Sequence, residues 1–299
     1  MTAYHLPALL EESIAGLNLK PDGVYVDVTF GGGGHSRAIL SRLTTGRLIA
    51  FDQDLDAASN IIIDERVTFL NQNFRFLKNN LRYLGYNGID GIIADLGVSF
   101  HQFDTLERGF SFRGDAQLDM RMNLNAPLKA YDILRTYDEE QLATVFYRYG
   151  ELDNSRRIAR AIVRARSTSP VVTVKELTDA VAGLVPVNQE NKFFAKLFQA
   201  LRIVVNHELD ALTEMLSQAL QVLNPRGRLV VITYHSLEDR LVKNFIRTGN
   251  FDGRSDKDFY GNLIVPFKVI NRRVIVPSES EVAANSRSRS ARLRIAEKI

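Results

Sequence analysis

The 299-residue sequence contains no cysteine, so it can form neither a disulfide nor a thiolate metal site. It also lacks any apolar run close to the roughly 18 residues that a membrane-spanning helix needs. Its first residues show no basic region followed by an apolar stretch, the pattern of a secretory signal. These absences predict a cytoplasmic protein with no membrane partner.

A marked excess of charge of one sign is also lacking, since 38 basic residues face 35 acidic ones and the formal net charge is +3. The distribution says more, because the arginines concentrate in two segments. The segments contain Arg156, Arg157, Arg160, Arg164 and Arg166, and Arg287, Arg289, Arg292 and Arg294. Each alone is typical of a solvated helix face or a basic tail. Two together favour a polyanionic substrate, because guanidinium groups pair well with phosphates.

What the sequence does contain is an apolar segment at 24–28 that leads into four consecutive glycines, Gly31 to Gly34, and His35. The β-branched and aromatic residues of the segment predict a buried strand. Glycines lack Cβ atoms, so the backbone can turn sharply and approach a ligand closely. A predicted helix at 36–43 would place backbone N–H groups at the loop. The sequence therefore predicts a cradle for a nucleotide-type cofactor.

The loop matches neither of two common phosphate-binding patterns. Ser36 stands where G-x-G-x-x-G requires its third glycine, and no lysine follows the loop as in G-x-x-x-x-G-K-[ST]. A second predicted strand, 47–51, leads to Asp52, whose carboxylate can accept both hydroxyls of a ribose. Asp27 adds an acid that would repel a pyrophosphate but suits a cofactor with a positive aminoacyl end. The pattern favours S-adenosylmethionine over NAD.

Further strands are predicted at 67–70, 89–95 and 228–233. About 130 residues separate the last two, far more than a crossover needs, so this gap must hold a domain of its own. Helical periodicity fills it at 131–149, 155–166, 174–184 and 193–217, and residues 173–176 have the spacing of a capping box. We therefore predict an α/β protein with an open Rossmann-like sheet and an inserted all-helical domain at the ligand-binding edge of the strands.

A series of motifs occurs in order along the whole chain. The motifs are His5-x-Pro7-x-Leu-Leu10-x-Glu12, Asp22-Gly-Val-Tyr-Val-Asp-x-Thr29, Gly31-Gly-Gly-Gly-His-Ser36, Asp95-Leu-Gly-Val-Ser99, Arg108-Gly-Phe-Ser-Phe112, Leu118-Asp-Met-Arg-Met122, Tyr149-Gly-Glu151, Phe198-Gln-Ala-Leu-Arg-Ile203, His235-Ser-Leu-Glu-Asp-Arg240 and Asn285-x-Arg-x-Arg-Ser-Ala-x-Leu-Arg294. In these the chain resembles the bacterial 16S ribosomal RNA cytosine-N4 methyltransferases (RsmH, also called MraW), which methylate a decoding-centre cytidine. The resemblance implies a class I S-adenosylmethionine-dependent methyltransferase domain at 1–107 and 210–299, and a helical substrate-recognition domain at 108–209.

The resemblance also implies a set of site residues. Cofactor contacts carried over position by position fall on Gly33, Gly34, His35, Asp52, Phe74, Asp95 and Gln102. The family usually reads Ser-Pro-Gln-Leu-Asp where this chain has Phe100-His-Gln-Phe-Asp104, so Gln102 is retained in a changed loop. The implied partner is 16S rRNA within the small ribosomal subunit, and no metal is implied. Asp95 is the best-placed carboxylate for a catalytic role.

Several of these residues also have a simpler structural interpretation. The simpler roles are a helix cap for His35, ordinary core for Phe110, Phe112 and Met120 in place of a wall for a flipped base, and a hydrogen-bond network for His235, Glu238 and Asp239. The residue pattern alone does not reveal an amine target. A small-molecule methyltransferase, a DNA amino methyltransferase and a non-catalytic ribosome-assembly factor therefore stay open as alternatives.

Overall fold

The computed structural model describes residues 7–299, except for the side chain of Phe100, so His5 of the first motif lies outside the described residues. The sheet of the described chain has seven strands in the order β3-β2-β1-β4-β5-β7-β6. The strands are β1 Val24–Asp27, β2 Arg47–Phe51, β3 Val67–Leu70, β4 Ile89–Asp95, β5 Leu223–Thr233, β6 Phe267–Val269 and β7 Arg292–Lys298. The pairs among β1 to β5 are parallel, and β7 is antiparallel to β5 and β6. The predicted α/β class is confirmed.

Helices cover both faces of this sheet. Alternate residues of a strand point to opposite faces, and in β1 Tyr25 and Val26 accordingly enter two different apolar clusters. The helices of the described chain are α1 Leu10–Leu17, α2 Gly34–Leu40, α3 Leu77–Tyr83, α4 Phe100–Asp104, α5 Ala130–Thr136, α6 Glu139–Arg148, α7 Ser155–Thr168, α8 Val174–Val181, α9 Glu190–Asn206, α10 Glu208–Val222, α11 Ser236–Thr248 and α12 Glu279–Ala284. None of them is long and apolar enough to cross a membrane.

The chain divides into two compact units. The first contains residues up to Gly97 together with Leu209–Ile299, and the second contains Val98–Glu208. The second unit has its own apolar core, built from helices α5 to α9 and the segment before them. It begins earlier than the predicted insertion at 108, so the short helix α4 and Gln102 belong to the helical unit rather than to the sheet.

Two long predicted helices are each broken into two. The predicted helix at 131–149 is interrupted because the Asp138 side chain accepts a hydrogen bond from Gln141 N and starts α6 as an N-cap. The predicted helix at 193–217 ends at Asn206, since His207 takes a left-handed backbone conformation with φ +50°. Thr173 and Glu176 form the predicted capping box at the start of α8.

The C-terminal arginine segment is not a tail. Residues 292–298 form strand β7, which pairs with β5 over six residues from Arg228–Glu297 to Thr233–Arg292. Leu293 and Ile295 are buried, whereas Arg292 is exposed. Strands β6 and β7 were missed from the sequence. Strand β7 alternates charged and apolar residues and takes its partner from β5, whose last residue lies far away in the chain.

Candidate active site

The glycine loop connects β1 to α2, and its backbone requires glycine at position 33. Gly33 has φ +74° and is the N-cap of α2. A Cβ atom on Gly33 would lie 2.9 Å from Cζ of Phe30, closer than real side chains approach. Around Gly32, by contrast, no described atom lies within 4 Å of the position of a Cβ. The loop is therefore packed on one side at Gly33 and open at Gly32, as a cradle must be.

Asp27, at the end of β1, stabilises the glycine loop through two hydrogen bonds. Its carboxylate accepts hydrogen bonds from Thr29 N at 3.0 Å and from the Ser36 hydroxyl at 2.7 Å. The side chain is buried, and this burial raises its pKa to about 6. Asp27 thus connects the end of β1 to the first turn of α2 through Ser36, and it places a carboxyl group next to the glycine loop.

Asp52 directly follows β2 and remains partly exposed. Its Oδ2 accepts a hydrogen bond from Gly31 N at 2.8 Å, and its Oδ1 accepts one from Asp54 N at 2.9 Å. Desolvation raises its pKa to about 6, and the charges of Asp54 and Asp27 add to the effect. Since a carboxylate offers about four acceptor sites, Asp52 can shape the loop and still accept ribose hydroxyls.

Asp95 ends β4, where one group holds its carboxylate and a second lies nearby. The Tyr234 hydroxyl, just after β5, donates to Asp95 Oδ1 at 2.8 Å, and His35 Nδ1 of α2 lies 3.9 Å from Asp95 Oδ2. Burial raises the pKa of Asp95 to about 7, with smaller contributions from the charges of Asp27 and Glu238. Tyr234 was missed in the sequence, although it follows a predicted strand at the edge where parallel strands present functional groups.

His35 does not cap α2, because Gly33 occupies the N-cap and no side chain bonds there. The imidazole is only 5% exposed, and burial lowers its pKa to about 4, so it is neutral at pH 7. Its Nε2 makes no hydrogen bond with the described residues. A neutral histidine with an unsatisfied buried nitrogen beside Asp95 is consistent with a ligand contact.

Phe74 and Gln102 occupy different settings. Phe74 follows β3, where Asn73 caps a short 3₁₀ turn, and it is half-buried against the apolar cluster that contains Leu77. Gln102 is buried in the second unit, where its Oε1 accepts a hydrogen bond from Ser99 N in the capping box of α4. Phe74 is thus a partly accessible aromatic residue just beyond β3. The observed role of Gln102 is to start a helix.

The simpler interpretation holds for the aromatic motif of the second unit. Phe110 and Met120 are buried in its core, and the ring of Phe112 lies 5.8 Å from that of Phe194. Their observed contacts are those of core residues, not of a wall open to a base.

The simpler interpretation also describes His235. Its side chain and that of Glu238 form the capping box of α11. Asp239 accepts two hydrogen bonds from the Arg294 guanidinium, at 2.7 and 2.9 Å. The observed role of these residues is structural.

The three carboxylates Asp27, Asp52 and Asp95, here called the acidic edge, come together because β1, β2 and β4 are parallel and end at the same side of the sheet. The raised pKa of each shows that a negative charge is costly there. A ligand that carries positive charge relieves this cost, whereas a polyphosphate increases it. The acidic edge beside an open glycine loop therefore suits a cationic nucleoside cofactor.

The arginine segments differ in their surroundings. Arg156, Arg157, Arg160 and Arg164 of α7 are all exposed, and we call them the arginine face. Among them Arg160 contacts Glu139 at 3.4 Å, an exposed pair. Arg166, predicted with this group, instead donates to the Leu134 carbonyl at the end of α5. The arginine face thus has four members available to solvent.

Comparison with known proteins gives consistent matches over the full length. A family model described as the MraW methylase family matches residues 2–299. A protein from Bacteroides thetaiotaomicron named ribosomal RNA small subunit methyltransferase H is 58% identical over 296 residues, which cover 99% of this chain and 97% of that protein. A protein of the same name from Phocaeicola vulgatus is 57% identical, with the same coverage of both chains. Among solved structures, an rRNA methylase from Streptococcus thermophilus covers 96% of this chain and 93% of its own at 13% identity, with a TM-score of 0.42.

Proposed function

The chain belongs to the MraW methylase family, and from this premise we propose that it transfers a methyl group from S-adenosylmethionine to the N4 amine of a decoding-centre cytidine in 16S rRNA. The observation that supports this best is the acidic edge beside the glycine loop. It combines an open backbone cradle, a carboxylate for a ribose and raised carboxyl pKa values that favour a positive ligand.

The residues present fit S-adenosylmethionine in charge and in shape. Asp52 keeps free acceptor sites beside Gly31 for the ribose hydroxyls, and Phe74 offers a ring for the adenine. Gly33 and Gly34 let the backbone approach the ligand, and the acidic edge attracts its positive groups. When bound, the cofactor supplies a sulfonium methyl group as the electrophile.

Asp95 is the residue to which we assign the acceptor role in methyl transfer. The exocyclic amine of cytosine is a poor nucleophile, because its lone pair is delocalised into the ring. A carboxylate that accepts a hydrogen bond from the amine favours the more tetrahedral nitrogen of the transition state. With a pKa of about 7, Asp95 has the balance of protonation states that a general base needs near neutral pH. The Tyr234 hydroxyl fixes the orientation of this carboxylate.

The proposed substrate is rRNA of the small ribosomal subunit in the cytoplasm. Support comes from relatives above 50% identity that are named ribosomal RNA small subunit methyltransferase H, and from the arginine face, which suits phosphates. A small-molecule substrate would not need this cluster of exposed guanidinium groups.

The test is transfer of labelled methyl from S-adenosylmethionine to undermethylated small subunits, followed by nucleoside analysis of the 16S rRNA. We expect label in N4-methylated cytidine. Label in a different nucleoside would contradict the amine assignment. Absence of label from the RNA of both intact subunits and free 16S rRNA would contradict the whole proposal and favour a small-molecule substrate or a non-catalytic role.

A further inference from the structure

An exposed turn in the first unit carries two aromatic residues that no part of the proposed site uses. Asp258 to Gly261, here called the aromatic turn, form a β-turn in which Gly261 N donates to Asp258 O at 3.0 Å. Phe259 and Tyr260 occupy its two central positions and are 97% and 86% exposed. Central turn positions usually hold small or polar residues. Two large aromatic rings there, with almost no burial, do nothing for the stability of the fold.

The aromatic turn is held in shape rather than loose. The Asp258 carboxylate accepts hydrogen bonds from Tyr260 N at 2.9 Å and from Asn262 N at 2.8 Å. Asp258 N also donates to Asn262 O, and Ile264 N donates to Asp256 O, so a short antiparallel pair supports the turn. The two rings meet edge to face with centroids 5.6 Å apart. The rings are therefore presented to solvent on a preorganised support, which lowers the entropy cost of binding.

The chain around the aromatic turn is basic. Between Arg240 and Arg273 eight basic residues face three acidic ones, and one of the acids, Asp258, is engaged in the turn. The basic residues are Arg240, Lys243, Arg247, Arg254, Lys257, Lys268, Arg272 and Arg273. Within the described chain none of their side chains has an ion pair or hydrogen bond. The first three share one face of α11, because they lie three and four residues apart.

We propose that the aromatic turn is a stacking platform for unpaired bases of RNA, and that the unpaired cations of the same segment of chain, Arg240 to Arg273, bind its phosphates. Exposed aromatic rings with interleaved cations are how proteins bind single-stranded nucleic acid, because every base has a face that stacks on a ring. A partner that is another copy of the chain would bring the same cations together, which charge repulsion disfavours. The inference rests on the proposed function, since it assigns a further surface to the same RNA substrate.

The absence of tryptophan from the chain makes the test direct. Phe259→Trp introduces a single indole whose fluorescence is quenched when a base stacks on it. Tyr83→Trp is the matched control, because Tyr83 is 88% exposed on α3 of the same unit. Titration with a mixed-sequence single-stranded oligoribonucleotide should quench the first indole and leave the second nearly unchanged. An equal response of the two, or none from the first at saturating RNA, overturns the proposal.

Affinity measurements separate stacking on the rings from non-specific apolar or electrostatic binding. Phe259→Leu and Tyr260→Leu keep an apolar side chain but remove the ring, and each should weaken RNA binding about five-fold or more. The slope of log affinity against log salt should stay the same in both. Lys257→Ala should instead flatten that slope by about 0.7. Unchanged affinity in both leucine variants overturns the proposal, and so does self-association of the wild-type chain without RNA that the leucine variants abolish.

Methyl transfer to small subunits, measured on the same proteins, distinguishes this inference from the proposed function. If wild-type protein methylates the rRNA and both leucine variants do so with unchanged KM and kcat, only the aromatic turn loses its role. If wild-type protein binds the oligoribonucleotide and the RNA quenches the indole of Phe259→Trp, but wild-type protein methylates no rRNA, the proposed reaction fails and the assignment of the aromatic turn is kept.

Discussion

The acidic edge and the arginine face hold charge in opposite ways. Asp27, Asp52 and Asp95 lie at one end of the sheet, bound to backbone or hydroxyl donors, and each has a raised pKa. The arginine face lies on a helix surface with one exposed ion pair. Buried charges act through a few strong, coupled contacts, whereas exposed charges act as independent and salt-screened contributors. Single substitutions should therefore have large effects at the acidic edge and small, additive ones on the arginine face.

The largest effect is expected at the glycine loop beside the acidic edge. In Gly33→Ala the new methyl group would collide with Phe30 and strain a backbone at φ +74°, which should weaken S-adenosylmethionine binding more than 100-fold, above about 2.7 kcal/mol. The matched control is Gly85→Ala, where φ is +83° but no described atom lies within 4 Å. Calorimetry should find reduced stability in both variants and reduced affinity only in the first. Equal affinities would show that the loop is not the cradle.

Asp52→Ala should have the next largest effect. It removes the charged acceptor for the ribose and the partner of Gly31 N, and hydrogen bonds to charged groups contribute about 1.5–3 kcal/mol. We expect a loss of S-adenosylmethionine affinity between about ten-fold and 150-fold. Asp56→Ala is the nearby control, since Asp56 is an exposed acid of the following turn. An unchanged dissociation constant in Asp52→Ala would reject the ribose assignment.

Two C-terminal arginines test whether a buried partner or exposure to solvent decides the effect of a substitution. Arg294 pairs in two hydrogen bonds with Asp239, a nearly buried carboxylate, so Arg294→Ala should lower the free energy of unfolding by about 2 kcal/mol. Arg289 is exposed and pairs with no described residue. Arg289→Ala should leave stability unchanged and reduce only RNA affinity. Chemical denaturation measures the stability of both variants. Equal losses would mean that Arg294 and Arg289 contribute to the fold in the same way.

The strands that position the site could be predicted closely from sequence. Buried parallel strands are continuous apolar runs, and β2, β3 and β4 have the predicted bounds. Because the ends of such strands meet at one edge, Asp52 and Asp95 could be identified as site candidates before the structure was known.

The contacts between distant residues could not be predicted. Tyr234 bonds to Asp95 across 139 residues of sequence, and Arg294 was grouped with Arg289 because the two are close in the chain. The sequence shows which residues are charged, but it does not show whether a charged residue has a buried partner in a distant element. The same limit explains why β7 resembled a basic tail.

The pH dependence of stability gives a smaller effect that is specific to the acidic edge. The pKa of Asp95 is about 7 in the fold against 3.8 when unfolded, so the native state holds its proton longer. The contribution of Asp95 to the free energy of unfolding is complete below pH 4 and is lost as the pH rises through 7. The free energy of unfolding falls by up to about 1.4 kcal/mol per pH unit over this range. His35, with its pKa lowered to about 4, acts in the opposite sense between pH 4 and 6.5.

Asp95→Asn isolates this contribution, because it keeps the size of the side chain and removes its titration. Thermal unfolding of the cofactor-free protein should show that the decline in stability between pH 6.5 and 7.5 is present in the wild type and nearly absent in the variant. The other two acids of the acidic edge, Asp27 and Asp52, have pKa values of about 6 and titrate mainly below this range. A wild-type curve that is flat or rising in this range would contradict a raised pKa.

The smallest effect per residue is expected on the arginine face. Arg156 and Arg164 are exposed and pair with no described residue, so each alanine variant should remove one phosphate contact. The slope of log affinity for 16S rRNA against log salt should flatten by about 0.7–0.9 per residue, and the two changes should add. Lys175→Ala is the control in the same unit, since Lys175 already pairs with Asp179 at 2.7 Å. A slope unchanged in the double variant would move the phosphate contacts elsewhere, and a loss of cofactor affinity in it would mean that the two regions are coupled rather than independent.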